Sequence, residues 1–132
     1  MFIKRLMLCD YLRELFLATS PLAIVDYTEN YGRHILKRVA RQIKVSKCID
    51  LGCGNGDDLS IVKQNHPAAE LYGIDFGSWN KKKLETLGIK LIVMNLEYGK
   101  LPLKDNSIDL IIANQIFEHV KEIWINHEIL DV

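Results

Sequence analysis

The chain has 132 residues, of which 48% are hydrophobic and 26% are charged, and its 17 basic residues balance its 17 acidic ones. This composition is typical of one globular domain, and a net charge of zero argues against a nucleic-acid-binding protein. No apolar run approaches the roughly 20 residues of a membrane-spanning helix, so we expect no membrane segment. Three cysteines without a CxxC pair and four scattered histidines favour a reducing, cytoplasmic setting and indicate no metal site.

Two helices are predicted in the N-terminal helical segment, residues 1–45. Residues 2–18 show the apolar spacing of a helix and stop at "TSP". A second helix is predicted to begin after Thr28, with an apolar stripe on one side. Its opposite side is basic and carries Arg33, Lys37, Arg41 and Lys44. We expect this side to be solvated, and contact with nucleic acid is the alternative that it leaves open.

Strands and helices alternate from residue 46 to the end. The predicted strands are "KCIDL", "AELYGID", "IKLIVMN" and "IDLIIAN", and the predicted helices are "DDLSIVKQNH", "SWNKKKLETLG" and "IFEHVKEIWINHEIL". Ser78 is predicted to cap the second of these helices and Gly88 to follow its end. Trp79 is predicted to pack in the core or against a helix and not to contact a ligand. Alternation of this kind predicts an α/β fold, a Rossmann-like doubly wound parallel sheet of about four strands preceded by the N-terminal helices.

The segment "DLGCGNG" follows the first of these strands. Gly52, Gly54 and Gly56 form a GxGxG pattern, whereas the dinucleotide fingerprint needs a glycine where Asp57 stands. A helix N-terminus attracts anions, but this one carries Asp57 and Asp58, which would repel phosphate. A ligand with positive charge and no phosphate is therefore favoured, and S-adenosylmethionine is such a ligand.

Three segments in this order resemble motifs of the class I (Rossmann-like) S-adenosylmethionine-dependent methyltransferases, in particular the broad type 11-like group. They are "IDLGCGNG", "LYGIDFGS" and "NLEYGKLPLKDNSIDLIIANQIFEHV". The resemblance implies an enzyme that transfers a methyl group from S-adenosylmethionine to a small-molecule acceptor, a sugar-containing metabolite included. It makes residues 46–132 a partial methyltransferase domain, truncated after strand four of the family's seven. A non-catalytic S-adenosylmethionine-binding or scaffold fragment that lacks the acceptor half is the alternative.

The resemblance also implies which residues contact the cofactor. They are Asp50, Gly52, Cys53, Gly54, Gly56, Asp75, Phe76, Asn95, Leu96 and Asn114. Asp50 and the loop backbone would line the methionine part of the cofactor. Asp75 would accept hydrogen bonds from both ribose hydroxyls, and Phe76 would cover the adenine or the ribose.

Roles for the later part of the chain are implied in the same way. Asn95 would accept a hydrogen bond from the adenine amino group, although asparagine also suits a turn that ends a strand. Leu96 would offer its N–H to the adenine ring, and Asn114 would present its carbonyl to the methionine ammonium. His119 is the candidate general base for an acceptor that needs one, with packing or helix capping as the alternative.

A sheet that ends with the strand "IDLIIAN" would leave an apolar parallel edge without a neighbour. Such an edge pairs readily with another chain. We therefore expect either a fragmentary methyltransferase or a homodimer that covers this edge.

Overall fold

A computed structural model of the chain describes residues 6–8, 31–98, 100–114 and 116. Within these residues the helices are α1 (Tyr31–Gln42), α2 (Asp57–Asn65) and α3 (Lys81–Thr86), and the strands are β1 (Leu6–Leu8), β2 (Lys47–Leu51), β3 (Glu70–Asp75), β4 (Ile89–Val93) and β5 (Leu110–Ile112). The strands form one sheet in the order β1-β5-β2-β3-β4, and every neighbouring pair is parallel. The predicted Rossmann-like parallel sheet is confirmed, including all four strands expected from residue 46 onward.

The beginning of the chain differs from the prediction. Leu6–Leu8, expected within a helix, form β1, which pairs in parallel with β5 so that Leu6 lies opposite Leu110. An apolar triplet is too short to show a helical or a strand period, and the unpaired backbone of β5 supplies the hydrogen bonds that decide its state. The expectation of an open β5 edge is therefore wrong, and the reason given for a homodimer at this edge is lost with it.

Helix α1 confirms the second predicted N-terminal helix. Its apolar stripe is buried: Leu36, Val39 and Ala40. Leu36 belongs to the same apolar cluster as Cys48 of β2 and Leu59 of α2, so α1 packs on the sheet together with α2. The other residues of the predicted segment 2–18 and the predicted helix after Ile116 lie outside the described residues, and the division of the chain at residue 46 stays a prediction.

The sheet is covered on both faces. Helices α1, α2 and α3 cover one face through the cluster that contains Leu36, Leu59 and Leu84. Leu101 and Ile108, from the segment between β4 and β5, pack on the other face. In β2 the four residues after Lys47 are all buried, as expected for a central strand of a parallel sheet. No helix within the described residues is long and apolar enough to cross a membrane.

The start of α3 corrects the prediction for Ser78. The N-cap position is Asn80, and no side chain caps the helix, although the Ser78 carbonyl accepts the Lys81 N–H at 3.0 Å. Gly88 follows the end of α3 with φ +72°, as predicted, because this left-handed conformation suits glycine.

Asp109 joins the beginning of β5 to the beginning of β2. Its Oδ2 accepts the N–H groups of Ser46 at 2.8 Å and Lys47 at 2.9 Å. We expect Asp109→Ala to lower the free energy of unfolding by about 1–2 kcal/mol, because both N–H groups lose a charged acceptor. Urea unfolding would measure this change, with Asp105→Ala, an exposed carboxylate of the preceding loop, as the matched control. Equal stability of Asp109→Ala and the control variant would contradict the assignment.

Candidate active site

The loop between β2 and α2 folds over the end of β3. The N–H groups of Gly52 and Cys53 donate to the Ile74 carbonyl at 2.9 and 2.8 Å, and the Gly54 N–H donates to Asp75 Oδ2 at 3.0 Å. These three donors are therefore satisfied within the protein. A pyrophosphate site needs such N–H groups to be free to donate to the ligand. These three are not free, so they do not form an anion-binding site.

The three glycines of the loop face different surroundings. A Cβ on Gly54 would meet no atom within 4 Å, so open space lies beside its backbone. A Cβ on Gly52, which has φ +77°, would lie 2.7 Å from Cδ1 of Ile116. A Cβ on Gly56 would lie 2.7 Å from Leu84. Gly54 is thus the position at which a ligand can approach the loop backbone, whereas Gly56 packs against the core.

A crevice of about 300 Å³ opens beside this loop. It is lined by Gly52, Ile74, Asp75, Phe76, Met94, Asn95, Leu96, Glu97 and Ile116. Five of the residues predicted to contact the cofactor lie among them: Gly52, Asp75, Phe76, Asn95 and Leu96. The two charged residues of this lining, Asp75 and Glu97, are both acidic. An acidic wall disfavours phosphate and favours a neutral or cationic ligand.

The Asp75 carboxylate is fixed in place at the end of β3. Its Oδ1 accepts the Phe76 N–H at 2.8 Å, and its Oδ2 accepts the Gly54 N–H at 3.0 Å. The Asp75 carbonyl also accepts the Met94 N–H at 2.9 Å, which joins β3 to the end of β4. Because a carboxylate oxygen can accept two hydrogen bonds, both oxygens keep capacity for a ligand donor in the crevice.

Asn95 forms the turn that ends β4. Its Oδ1 accepts the Glu97 N–H at 2.9 Å, and its carbonyl accepts the Tyr98 N–H at 3.2 Å. The turn that the sequence left open as an alternative is therefore present, while the residue also lines the crevice. The turn fixes the side-chain amide at the crevice wall.

Phe76, which lines the crevice, packs against Trp79. Their rings meet edge to face with centroids 4.8 Å apart, and they are 74% and 65% exposed. Of the two positions predicted for Trp79, in the core or against a helix, the core position is wrong. The Trp79 indole ring lies against the backbone of Gly77, at a place that any Cβ on residue 77 would occupy. The absence of a side chain at Gly77 therefore makes room for the Trp79 ring outside the core.

Asp50 is buried near the loop and does not line the crevice. Its neighbours in β2, Ile49 and Leu51, pack on the opposite face, so the strand alternation directs Asp50 towards α1 and α2. It is 3% exposed, and its carboxyl has no hydrogen bond to another described residue. Burial raises the pKa of this carboxyl well above its usual value, the carboxylates of Asp58 and Asp75 raise it further, and Arg33 opposes them.

A polar cluster that the sequence did not predict joins α1, α2 and the end of β5. Arg33 Nη2 donates to Asp57 Oδ2 at 3.2 Å, and Arg33 Nε donates to Asp58 Oδ1 at 3.0 Å. Asn114 Nδ2 donates to the other Asp58 oxygen at 3.2 Å. The basic side of the predicted second helix is exposed at Lys37, Arg41 and Lys44, as predicted, whereas Arg33 is half-exposed and forms ion pairs that the sequence did not predict. These hydrogen bonds connect residues that are far apart in the sequence, so the spacing of neighbouring residues does not predict them.

The cluster also corrects the electrostatic argument made from α2. Asp57 and Asp58 were expected to repel phosphate from the helix end, but they share the Arg33 guanidinium. The satisfied N–H groups of the loop and the acidic crevice wall supply the argument against phosphate instead.

The Cys53 side chain packs between the β2–α2 loop and β3. A Cβ on Gly73 of β3 would lie 2.5 Å from its Sγ, so the thiol fills the space beside this glycine. Burial raises the pKa of the thiol to about 12, which leaves no thiolate to act as a nucleophile near neutral pH. Among the described residues, no group of three or more His, Cys, Asp or Glu could hold a metal ion. His119 lies outside the described residues.

Comparison with known proteins identifies relatives of this arrangement. The family described as "Methyltransferase domain" matches residues 49–126. The bifunctional methionine biosynthesis protein MetXA/MetW of Rhodopirellula baltica is 27% identical over 112 residues, which cover 80% of this chain and 18% of that protein.

Two solved structures illustrate the similarity of the fold. A SAM-dependent methyltransferase from Aquifex aeolicus superposes with a TM-score of 0.60 at 21% identity, over 74% of this chain and 57% of that one. Coclaurine N-methyltransferase, solved with N-methylheliamine and SAH, gives a TM-score of 0.61 at 18% identity, over 79% of this chain and 33% of that one. The chain thus spans less than two thirds of the length of each protein compared. Because the family match covers more than half of the sequence, the chain belongs to the methyltransferase domain family and has its class I, Rossmann-like fold.

Proposed function

We propose that this chain binds S-adenosylmethionine in the crevice beside the β2–α2 loop. The observation that carries the proposal is the pairing of an acidic crevice wall with a loop whose N–H groups are satisfied internally. This combination suits a nucleoside without phosphate groups that carries a sulfonium and an ammonium. The open space beside Gly54 provides room for such a ligand against the backbone.

Each part of the ligand has a proposed partner. The oriented carboxylate of Asp75 accepts hydrogen bonds from the ribose hydroxyls. Phe76 covers the adenine or ribose, and Asn95 and Leu96 contact the adenine edge from the wall that they line. The methionine part extends over Gly54 towards Asp50 and the Asn114 carbonyl. Gly52 and Cys53 support that part of the loop.

We further propose that the protein to which this chain belongs is a methyltransferase. S-adenosylmethionine supplies an activated methyl group for in-line displacement by an acceptor, so the protein mainly has to align the reacting atoms. Fixed groups such as Asp75, held by two backbone N–H groups, provide this alignment without rearrangement. His119 is the proposed general base for an acceptor that must lose a proton.

The proposed acceptor is a small molecule, a sugar-containing metabolite included. A small organic ligand, N-methylheliamine, is bound to coclaurine N-methyltransferase, which has the same fold. We place the reaction in the cytoplasm, because the buried free thiols of Cys48 and Cys53 suit a reducing compartment. We propose no homodimer through the β5 edge, because β1 pairs with that edge.

Calorimetry tests the binding proposal directly. S-adenosylhomocysteine should bind in the micromolar range, corresponding to about −8 kcal/mol, whereas a nicotinamide dinucleotide should not bind at millimolar concentration. The dinucleotide is the matched alternative, because the same fold class binds it through a glycine-rich loop. Tight binding of the dinucleotide without binding of S-adenosylhomocysteine would overturn the proposal.

Cofactor binding without turnover is the second function, the alternative that the sequence motifs leave open. Formation of S-adenosylhomocysteine from S-adenosylmethionine with a panel of acceptors separates the two functions. Binding without turnover on any acceptor would favour the scaffold function.

A further inference from the structure

The polar cluster of Arg33, Asp57, Asp58 and Asn114 lies at the carboxyl ends of β2 and β5. The carboxylate of Asp58 is its centre, because Arg33 Nε donates to one oxygen and Asn114 Nδ2 donates to the other. Asp58 is only 9% exposed. With a donor on each oxygen and little exposure, Asp58 is placed to act through its partners and not through direct contact with a ligand.

Asn114 is held closely from a second side. A Cβ on Gly32 of α1 would lie 2.9 Å from Asn114 Oδ1 and 3.0 Å from Nδ2, so the helix backbone approaches the amide because residue 32 has no side chain. The amide therefore lies between the Gly32 backbone and the Asp58 carboxylate. Its position depends on the docking of α1, which Arg33 secures through Asp57 and Asp58.

The chain that leaves β5 is fixed again two residues later. The Ile116 side chain lies against Gly52, at 2.7 Å from where a Cβ would be. Asn114 is thus attached to α2, and Ile116 contacts the β2–α2 loop. These two residues border the place where the proposed methionine part of the ligand lies.

We propose that Asp58, held by Arg33, is a positioning residue that orients Asn114 towards the amino-acid end of the ligand. The inference rests on the proposed function and assigns the two ends of the ligand to two different groups of residues. The adenosine end depends on the crevice wall that contains Asp75 and Asn95. The amino-acid end depends on the Arg33–Asp58–Asn114 connection.

Two ligands that differ only at the amino-acid end test this division. S-adenosylhomocysteine carries the ammonium and carboxylate, whereas 5′-methylthioadenosine keeps the adenosine and the sulfur and lacks both. In Arg33→Met and Asp58→Asn we expect the affinity for S-adenosylhomocysteine to fall about tenfold or more, as expected for loss of one well-placed polar contact. The affinity for 5′-methylthioadenosine should change by less than about twofold, because its contacts are elsewhere.

Matched variants keep the result interpretable. Arg41→Met removes an exposed cation from the same helix and should leave both affinities unchanged. Arg33→Lys keeps the positive charge but lacks the planar guanidinium that donates to two carboxylates. It is the milder variant to use if Asp58→Asn is unfolded at the assay temperature. The double variant Arg33→Met/Asn114→Ala should lose less affinity than the two single losses combined, since both act through Asp58.

The outcomes separate the inference from the function on which it rests. Equal loss of both ligands in Arg33→Met and Arg33→Lys would indicate a merely structural role and overturn the inference alone. Unchanged affinity for S-adenosylhomocysteine in folded Asp58→Asn and Arg33→Met would overturn it as well. A wild-type protein that binds neither ligand would overturn the proposed function, and the inference with it.

Discussion

Replacing Asp75 by alanine is expected to weaken binding of S-adenosylhomocysteine by about a hundredfold, equivalent to about 3 kcal/mol. The loss has two physical sources. The proposed acceptor of both ribose hydroxyls disappears, and the N–H groups of Gly54 and Phe76 lose the carboxylate that fixes their positions. Because the ribose is common to both test ligands, 5′-methylthioadenosine should lose affinity to the same extent, unlike in the Arg33 and Asp58 variants.

Asp75→Asn provides the intermediate case. The amide keeps one oxygen and can satisfy one of the two backbone donors, so we expect a loss of about tenfold. Asp105→Ala is the control for removal of a carboxylate from the surface. If folded Asp75→Ala bound either ligand within about threefold of the wild-type affinity, the ribose role of Asp75 would be wrong.

Asp50→Asn is expected to change stability and binding in opposite directions. The buried carboxyl of Asp50 has neighbouring carboxylates and no hydrogen bond within the described residues, so ionisation there is costly. Asparagine removes this cost and should raise Tm by roughly 4 °C, the shift that about 1 kcal/mol produces in a domain of this size. The same change removes a carboxyl that the proposed ligand ammonium would hold in its ionised form, and it should weaken S-adenosylhomocysteine about tenfold or more.

The pH dependence of Asp50→Asn follows from the raised pKa of Asp50. Well below pH 4 the wild-type carboxyl is protonated in both the folded and the unfolded state, so Asp50 adds no pH dependence to the stability of the wild-type protein there. As pH rises from there through the raised folded pKa, the unfolded state loses its proton first, and the wild-type protein loses stability that the variant keeps. The gain in Tm should therefore be larger at pH 7 than at pH 4.5. A variant that is less stable than wild type at both pH values would contradict the burial argument.

The sheet could be predicted because its signals are local. The segments "KCIDL" and "AELYGID" are apolar runs bounded by a charged residue or a turn, and they became β2 and β3. The glycines and Asp75 could be placed at one edge of the sheet because parallel strands end together. Five predicted residues accordingly line one crevice.

What the sequence did not predict are contacts that local patterns do not encode. Arg33 has the spacing of a solvated residue on α1, yet its guanidinium reaches two carboxylates on α2. Trp79 is a large aromatic residue of the kind usually found in a core. Its ring is nevertheless exposed, because it packs against the backbone of Gly77, which has no side chain. Leu6–Leu8 carry too few residues to show a period, so the free edge of β5 determined their conformation.

The internal hydrogen bonds of the β2–α2 loop have a thermodynamic consequence. Because Gly52, Cys53 and Gly54 already donate to β3, the loop has one shape before any nucleoside arrives. Recognition then requires little loss of backbone entropy, and more of the contact free energy appears as affinity. Association should consequently be fast and free of a slow ordering phase, as in docking to a rigid surface.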